Sequence, residues 1–378
     1  GMAQARAAVV GVGTTAYGRL PEYDAYDLGM WALTEALKDA GLGFADLDGI
    51  IVNRIPDYQR FCEIAGIDPS FVTITPGHGR FAAICIEMAL QAVLSGRCRT
   101  VALVYGNNGR SAGAAYGGES DSYGSGGGAI WWPYGMTSPG AFHAMMMRRH
   151  MAQYGTKPEH LAELAMTFRD HACLNPQAVM RKPFTLDDYM NARMIAEPLR
   201  LLDYCLINDG GVALIITTAE HARDCARPPV HIRGAALQTV FANSMFPPED
   251  YWHGAVASVT GRSFREAGLG RDDMQALMIY DNFTPTVMFS LEGAGYCGRG
   301  ESGPFVAEGH LRLGRRYPTN TSGVHLSESY MQGWALNVEA VRQLRGDCGD
   351  RQVSDAANVH YIAAAPVCSS IVYSRDPS

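Results

Sequence analysis

The feature that most constrains the fold of this chain is a weak internal repeat. The segment DAGLGFADLDGIIV at residues 39–52 reappears as EAGLGRDDMQALMIY at residues 266–280. Each copy predicts the end of a helix, a glycine stop, an acidic turn and a buried strand. Two such units in one chain indicate two similar α/β halves that arose by duplication, stacked as a five-layer αβαβα sandwich. The active site would then lie between the halves.

Strands and helices alternate along the chain, which is typical of a layered α/β protein. We expect an N-terminal half of residues 1–235 and a C-terminal half of residues 236–378. The N-terminal half carries an inserted loop region at about residues 107–200. Its first part, residues 107–140, is rich in glycine, serine and aromatic residues. A loop of this length inside a compact domain is usually a functional lid or a flexible insertion.

The composition excludes several classes of protein. Of the 378 residues, 47% are hydrophobic and 18% are charged, which is ordinary for a folded α/β protein. Lys and Arg number 31 against 38 for Asp and Glu, so the chain lacks the basic surface that nucleic acid requires. No apolar run is long enough to cross a bilayer, and the N-terminus lacks a signal-peptide pattern. We therefore expect a soluble protein of the cytoplasm.

Nine cysteines are scattered through the chain without any CxxC pair. An odd number at irregular spacing argues against a disulfide framework and against a structural zinc site, so no metal site is expected. Most of these cysteines are expected to be small buried side chains. A nucleophile among them has to be identified from its surroundings.

Several motifs follow one another in order along nearly the whole chain. They are VVGVGTTAYGR, ALKDAGLGFADLDGIIV, the run from MAQYGTKPEHL to LLDYCLINDGGVAL, YDNFTPTVMFSLEGAGYCGRGESGPFV, NTSG and EAVRQLRG. In these motifs the chain resembles the thiolase superfamily, in particular the bacterial thiolase-like proteins related to sterol carrier protein-x. The resemblance implies the thiolase-like five-layer fold and says less about the reaction, because function depends on the site.

Thiolases have a nucleophilic cysteine at the start of a buried helix, and here that position carries no thiol. In GHGRFAAICIEMALQAVLSG it falls at Gly79, or at His78 if one residue is gapped. Neither residue can form an acyl-thioester. The helix start at residues 77–79 could bind a thioester oxygen through backbone N–H groups, or its glycines could only allow a tight turn. Cys85, about two turns further along, is expected inside the core.

Two further catalytic positions of the family are both tyrosine in this chain. The second motif reads YDNF, with Tyr280 where thiolases place Asn or His. The third motif, NTSGVHLSESYMQG, aligns without a gap and puts Tyr330 at the catalytic His position. His325 lies five residues earlier and is interpreted as a supporting or core histidine. Cys368 is a weak candidate for the fourth position, because the glycine-rich context used by the family is missing.

A tyrosine pair without the cysteine resembles the steroid side-chain-cleaving aldolases of the superfamily. That resemblance implies a homodimer and a small OB-fold partner protein with a zinc ribbon, which completes the acyl-CoA site. It also implies that a coenzyme A thioester is the substrate and that no cofactor is bound covalently. A steroid side chain would fit as the acyl group.

The chemistry favours the same reaction. Claisen thiolysis proceeds through an acyl-enzyme and needs a thiolate. Retro-aldol cleavage of a 3-hydroxyacyl-CoA needs a base for the hydroxyl proton, an oxyanion site for the enolate and an acid for the α-carbon. We predict that Tyr280 and Tyr330 share the acid and base roles, in either order. The residues expected to bind the thioester oxygen or the substrate are His78, Gly79, Asn282, His325 and Cys368.

Asp281 follows Tyr280 directly and is expected to point to the opposite face of the strand, away from the reaction. Two alternative functions remain open at this point. One is an ordinary acetyl-CoA acyltransferase whose nucleophile lies elsewhere in the sequence. The other is a non-catalytic relative that binds acyl-CoA or lipid, or that supports a small partner protein.

Overall fold

A computed structural model describes residues 4–114, 139–242 and 247–378 of the chain. Most of the stretch predicted as a functional lid or a flexible insertion, namely residues 115–138, lies outside the described residues. The strands are β1 (Ala7–Thr14), β2 (Gly49–Asn53), β3 (Phe71–Thr75), β4 (Thr100–Asn107), β5 (Met194–Ala196), β6 (Leu199–Arg200), β7 (Gly210–Thr218), β8 (Val230–Thr239), β9 (Ala276–Ile279), β10 (Asn358–Ala363) and β11 (Val367–Ser374).

Among the described residues, the α-helices lie in both halves of the chain, and three of them, the fourth to the sixth, belong to the inserted region. They are α1 (Ala25–Ala40), α2 (Tyr58–Ala65), α3 (Phe81–Leu94), α4 (Pro139–Tyr154), α5 (Pro158–Cys173), α6 (Leu186–Met190), α7 (Ala219–Ala222), α8 (His253–Ala267), α9 (Thr284–Gly293), α10 (Ser302–Ala307), α11 (Val324–Ser327) and α12 (Trp334–Arg345). Short 3₁₀ turns occur at Phe44–Asp46, Leu201–Asp203, Arg271–Asp273 and Gly349–Arg351.

Within the described ranges, nine strands form a mixed sheet in the order β3-β2-β4-β7-β1-β8-β11-β10-β9. The first five strands belong to the N-terminal part of the chain and the last four to the C-terminal part. The two sets meet at β1 and β8, which pair only at Ala8 with His231 and at Val9 with Val230. The boundary predicted between residues 235 and 236 falls inside β8.

The helices form three layers around the two sets of strands. The central layer consists of α3 and α12, whose side chains share one core cluster with strands of both sets. Both helices are buried around most of their circumference, which is typical of a helix enclosed between two sheets. The helices α1 and α2 cover the outer face of the first set, and α8 and α9 cover the outer face of the second. The predicted αβαβα order is confirmed.

The two copies of the repeat have the same local structure. The helices α1 and α8 both end at a glycine in the left-handed conformation, with φ of 70° at Gly41 and 68° at Gly268. Glycine is favoured at such a position because it has no Cβ to clash with the backbone. In each copy a 3₁₀ turn follows and leads into a fully buried strand, β2 or β9.

The inserted region packs on the C-terminal part of the molecule. The helix α5 lies against α9, α10 and α11, and its cluster of buried side chains is continuous with that of α8 and α9. Its Arg169 donates a hydrogen bond to Ser327 at 2.8 Å. The inserted region therefore supports the segment that leads to Tyr330. In the described parts of the chain, no helix has the length and apolar character needed to cross a membrane.

Candidate active site

The structure brings the two predicted tyrosines into direct contact. Tyr280 follows the end of β9, and Tyr330 lies in the segment that leads into α12. Their hydroxyl oxygens are 2.7 Å apart, so one hydroxyl donates a hydrogen bond to the other. Tyr280 is only 4% exposed, whereas Tyr330 is half-buried. A strand end and the segment before a helix, both from the C-terminal half, thus supply the two phenols.

Gly79 lies against the hydroxyl end of Tyr280, just before α3 begins. A Cβ added at Gly79 would lie 1.7 Å from the Tyr280 hydroxyl oxygen and 2.1 Å from its ring carbon Cζ. A cysteine at position 79 therefore cannot coexist with the phenol in this position. The Tyr280 hydroxyl fills the space beside the helix start that a side chain at position 79 would need.

His325 packs against both phenols from the buried side. Its ring centroid is 4.9 Å from that of Tyr280 and 4.9 Å from that of Tyr330, at angles of 77° and 89°. These edge-to-face contacts are the arrangement that aromatic rings prefer. His325 is fully buried, and its Nε2 accepts a hydrogen bond from the Gly333 N–H at 3.0 Å.

The structure corrects the expectation that Asp281 lies away from the site. Its carboxyl oxygen Oδ1 is 3.1 Å from His325 Nδ1, and both side chains are fully buried. The two atoms lie within ion-pair distance, although their alignment is not that of a regular hydrogen bond. The strand β9 ends at Ile279, so the alternation of side chains along a strand does not extend to Asp281.

Burial controls the electrostatics of the site. It raises the pKa of Tyr280 well above its ordinary value, and the charge and hydrogen bond of Tyr330 raise it further. Cys205 and Tyr361 also face Tyr280 closely enough for their charges to raise that pKa. The pKa of the Asp281 carboxyl is likewise raised by burial, against an opposing effect of His325. A negative charge on Tyr280 is therefore disfavoured.

Side chains from distant parts of the sequence fix the segment around Tyr330. The Tyr330 N–H donates to Asn208 Oδ1 at 2.7 Å. Two residues later, Gln332 accepts a hydrogen bond from the Tyr105 hydroxyl at 3.0 Å and donates one from Nε2 to the Gly77 carbonyl at 2.8 Å. These contacts tie the Tyr330 segment to the helix start at Gly79. None of them is visible as a motif in the sequence.

The remaining predicted site residues occupy different surroundings. His78 is exposed, and its ring centroid lies 6.1 Å from that of Phe81. Asn282 uses its Oδ1 to accept hydrogen bonds from the Phe283 N–H at 3.0 Å and the Thr286 hydroxyl at 2.6 Å, at the start of α9. Their proposed roles in binding substrate stay predictions.

The structure does not place a reactive thiol at position 79. Cys85 is fully buried in the central core, and burial raises the pKa of its thiol to about 12. Cys368 lies in the outer core cluster of the C-terminal half, apart from the cluster that holds Tyr280. Burial raises the pKa of the Cys368 thiol to about 12 as well. A low pKa is what makes a cysteine nucleophilic, so neither thiol has that property.

Comparison with protein families gives a match over residues 239–370 to the model described as thiolase C-terminal domain-like. Among curated proteins, the chain is 35% identical to a steroid side-chain-cleaving aldolase of Thermomonospora curvata, with 96% of each chain covered. It is 34% identical to the 17-hydroxy-3-oxo-4-pregnene-20-carboxyl-CoA lyase of Mycobacterium tuberculosis, again with 96% of each covered.

Comparison with solved structures gives the same grouping. The structure named Ltp2-ChsH2(DUF35) aldolase is 33% identical to this chain and superposes with a TM-score of 0.88. The match covers 98% of this chain and 97% of the other. The similarity extends over both halves and the inserted region.

Proposed function

Because this chain belongs to the thiolase superfamily, in the group of the steroid side-chain-cleaving aldolases, we propose that it cleaves a carbon–carbon bond of a 3-hydroxyacyl-CoA whose acyl group derives from a steroid side chain. The observation that carries the proposal is the phenol pair at 2.7 Å, in a site where a Cβ at Gly79 would collide with Tyr280. A cysteine cannot occupy position 79, where thiolases carry the nucleophile that forms the acyl-enzyme, so a lyase is favoured over an acyltransferase.

The proposed reaction is a retro-aldol cleavage. A phenolate takes the proton of the 3-hydroxyl group, and the released electron pair forms the carbonyl of a ketone. The bond between the α- and β-carbons breaks, and its electrons form the enolate of the thioester. The enolate then takes the proton back at its α-carbon, which yields a shortened acyl-CoA and regenerates the phenolate. No covalent intermediate and no bound cofactor enter this sequence.

We assign the proton exchange with the substrate to Tyr330. A negative charge is better solvated on the half-buried Tyr330 than on Tyr280, which is 4% exposed. Tyr280 then keeps its proton and donates it in the hydrogen bond to the Tyr330 oxygen. A hydrogen bond to an ionised group is stronger than a neutral one, so Tyr280 stabilises the phenolate that acts as the base.

The enolate oxygen needs donors that are in place before the reaction. The helix α3 starts beside Gly79 without a side-chain cap, and its dipole favours negative charge at this end. We place the thioester carbonyl there, next to Gly79 and within reach of the phenols. His78 precedes Gly79 in the sequence and Asn282 lies two residues after Tyr280; these two residues are the proposed supporting contacts.

Two further features of the proposal concern assembly and location. The similar structure named Ltp2-ChsH2(DUF35) aldolase is named for two components, which supports a partner protein for this chain. We propose that this partner is a small OB-fold protein with a zinc ribbon. We also propose a homodimer that acts in the cytoplasm. The OB-fold partner protein would complete the acyl-CoA site.

The test is a lyase assay of the purified chain, alone and with the OB-fold protein, on a 3-hydroxyacyl-CoA. The ketone and the shortened CoA ester are both measured. We expect Tyr280→Phe and Tyr330→Phe each to lower kcat by roughly 100-fold or more, since general acid–base catalysis contributes about that much. The thermal midpoint should change little.

Tyr296→Phe is the matched control, because it removes a buried tyrosine hydroxyl that bonds to His360 at 2.7 Å outside the site. This control should retain its kcat. A double variant Tyr280→Phe/Tyr330→Phe that still cleaves the substrate at the wild-type rate would refute the proposal.

A further inference from the structure

The buried pair of Asp281 and His325 connects the two elements that carry the phenols. Asp281 follows Tyr280 in the chain, and the ring of His325 contacts both tyrosine rings at 4.9 Å. His325 also reaches past Tyr330 to Gly333, at the start of α12. Both members of the pair are fully shielded from solvent. A buried charged or polar group at such a position needs a specific partner.

The hydrogen bonds define which nitrogen of His325 carries the proton. The Gly333 N–H can only donate, and it lies 3.0 Å from Nε2, so Nε2 acts as the acceptor. The single proton of the neutral ring is therefore on Nδ1, where the Asp281 oxygen lies 3.1 Å away. A carboxylate beside one ring nitrogen fixes the tautomer in this way in other active sites.

The tautomer matters because of what Gly333 holds in place. Gly333 has a φ of 94° and lies in the turn that directly follows Tyr330. The Tyr330 end of this turn is fixed by Asn208, and the Gly333 end is fixed by His325. If the ring proton moved to Nε2, two N–H groups would face each other and the turn would have to shift. The 2.7 Å contact between the phenols would then be lost.

We propose that Asp281 is a positioning residue of the lyase, which fixes the tautomer of His325 and thereby holds the Tyr330 oxygen against Tyr280. This inference rests on the proposed function for its catalytic readout. Neither residue needs to touch the substrate. The pair acts through the geometry of the phenols, so its loss changes both the rate and the acidity of the phenol pair.

The experiment compares Asp281→Asn with the wild type in the full chain. An asparagine can turn its NH₂ group towards Nδ1 and so favour the wrong tautomer. We expect kcat to fall by about 10- to 100-fold, the range known for partners that orient a catalytic group, with KM within about twofold of the wild type. We also expect a shift in the apparent pKa of the pH–rate profile. Among the described residues, the titratable groups next to the phenols are His325, which contacts both rings, Asp281 behind it, and Cys205 and Tyr361, which act on Tyr280.

The matched control is Asp203→Asn, which changes another buried carboxyl group. Asp203 accepts hydrogen bonds from the Tyr189 hydroxyl at 2.8 and 2.7 Å and from Thr284 at 2.7 Å, and neither Tyr280 nor Tyr330 is among these partners. We expect it to lose thermal stability without any shift of the pH–rate profile. If Asp281→Asn behaves in the same way as this control, the positioning role is refuted.

A second variant keeps the test valid if Asp281→Asn does not fold. In His325→Gln, the side-chain oxygen can accept the Gly333 N–H without any help from Asp281. The double variant His325→Gln/Asp281→Asn should therefore be no slower than His325→Gln alone. Independent losses that multiply in the double variant would overturn the proposal.

A measurement without substrate separates this inference from the proposed function. The ionisation of the phenols is followed by ultraviolet absorbance of tyrosinate, as a difference between each protein and its Tyr280→Phe counterpart. A shifted titration in Asp281→Asn supports the positioning role even if no lyase turnover is found. An unshifted titration contradicts it even if the enzyme is an active lyase.

Discussion

The ends of β2 and β9 are equivalent positions in the two copies of the repeat, yet their residues have different roles. In the register of the repeat, Asn53 at the end of β2 corresponds to Tyr280 after β9. Asn53 is fully buried and accepts a hydrogen bond from Trp334 Nε1 at 2.9 Å. Its Nδ2 donates to the Thr75 hydroxyl at 2.9 Å and to the Pro76 carbonyl at 2.7 Å. One copy uses this position for structure and the other for a phenol.

The comparison separates the contribution of the duplicated fold, which sets the position of each strand end, from the contribution of the single residue at that position. Both strand ends point towards the starts of the central helices α3 and α12, where the site is built. Asn53 bonds to Trp334 at the start of α12 and to Pro76 in the segment between β3 and α3. Tyr280 instead faces Gly79 at the start of α3. The duplicated fold places the ends of β2 and β9 near the central helices. The residue that follows or ends each strand then determines whether the position has a structural or a chemical role.

The largest expected effect comes from Gly79→Ala, which fills the space next to Tyr280. The added Cβ would lie 1.7 Å from the phenol oxygen, so the ring must move and its contact with Tyr330 must break. We expect lyase kcat to fall by roughly 100-fold or more, as for loss of the general acid–base pair. Steady-state kinetics on a 3-hydroxyacyl-CoA measure this.

Gly43→Ala is the control for that substitution. Its added Cβ would have its nearest neighbour at 3.8 Å, so it fits without displacement. We expect full activity from this variant. A Gly79→Ala enzyme that is as active as Gly43→Ala would show that the close packing of Gly79 and Tyr280 is not needed for the reaction.

At Asn53 we expect a substitution to lower the stability of the fold more than a substitution of Tyr280 does. In Asn53→Ala, the buried Trp334 N–H and the Pro76 carbonyl lose their partner, which costs about 3 kcal/mol of unfolding free energy. Tyr280→Phe should cost no more than about 1 kcal/mol, because the Tyr280 hydroxyl has one hydrogen-bond partner among the described residues. Urea denaturation of the two variants measures the difference. A Tyr280→Phe protein that is destabilised as much as Asn53→Ala would remove the contrast between the two strand ends.

The repeat and the ordered motifs predicted the layered fold. The resemblance to the thiolase superfamily singled out Tyr280 and Tyr330, whose hydroxyl groups lie in contact in the structure. The sequence also showed that Gly79 cannot be a nucleophile. It did not predict the contact between Asp281 and His325, because the rule of alternating side chains was applied beyond the last residue of β9. Asn208 was missed for a different reason: its partner Tyr330 lies 122 residues away, and no periodicity or motif records such a pairing.

The segments that lead into the central helices also differ, since only the one before α12 buries a carboxyl group near the site. Glu328 is 3% exposed and accepts a hydrogen bond from Asn175 at 2.6 Å. Burial, with the charge of Glu339 adding to it, raises the pKa of Glu328 from 4.5 to about 7. The folded chain therefore holds this proton more tightly than the unfolded chain does. Stability is lost as the pH rises from about 4.5 to about 7.

Glu328→Gln removes this titration while keeping the shape of the side chain. We expect the variant to be more stable than the wild type at pH 8 by roughly 3 kcal/mol, and close to it below pH 5, since a tenfold difference in proton affinity between the folded and unfolded chain corresponds to about 1.4 kcal/mol. Urea unfolding at both pH values measures this. An equal difference at the two pH values would mean that Glu328 does not titrate between them.

The smallest expected effects concern the 3₁₀ turns before β2 and β9, and they show whether the two copies of the repeat contribute equally to the free energy of unfolding. Asp46 accepts a hydrogen bond from the Gly43 N–H at 2.7 Å, and Asp273 accepts one from the Gly270 N–H at 2.8 Å. Each carboxylate satisfies a backbone donor at the start of a 3₁₀ turn, so Asp46→Ala and Asp273→Ala should each cost about 1 kcal/mol. Equal losses in urea unfolding would show that the contrast between Asn53 and Tyr280 arises at the strand ends themselves. If only one of the two variants loses unfolding free energy, part of the difference between Asn53 and Tyr280 would instead arise in the turns that precede β2 and β9.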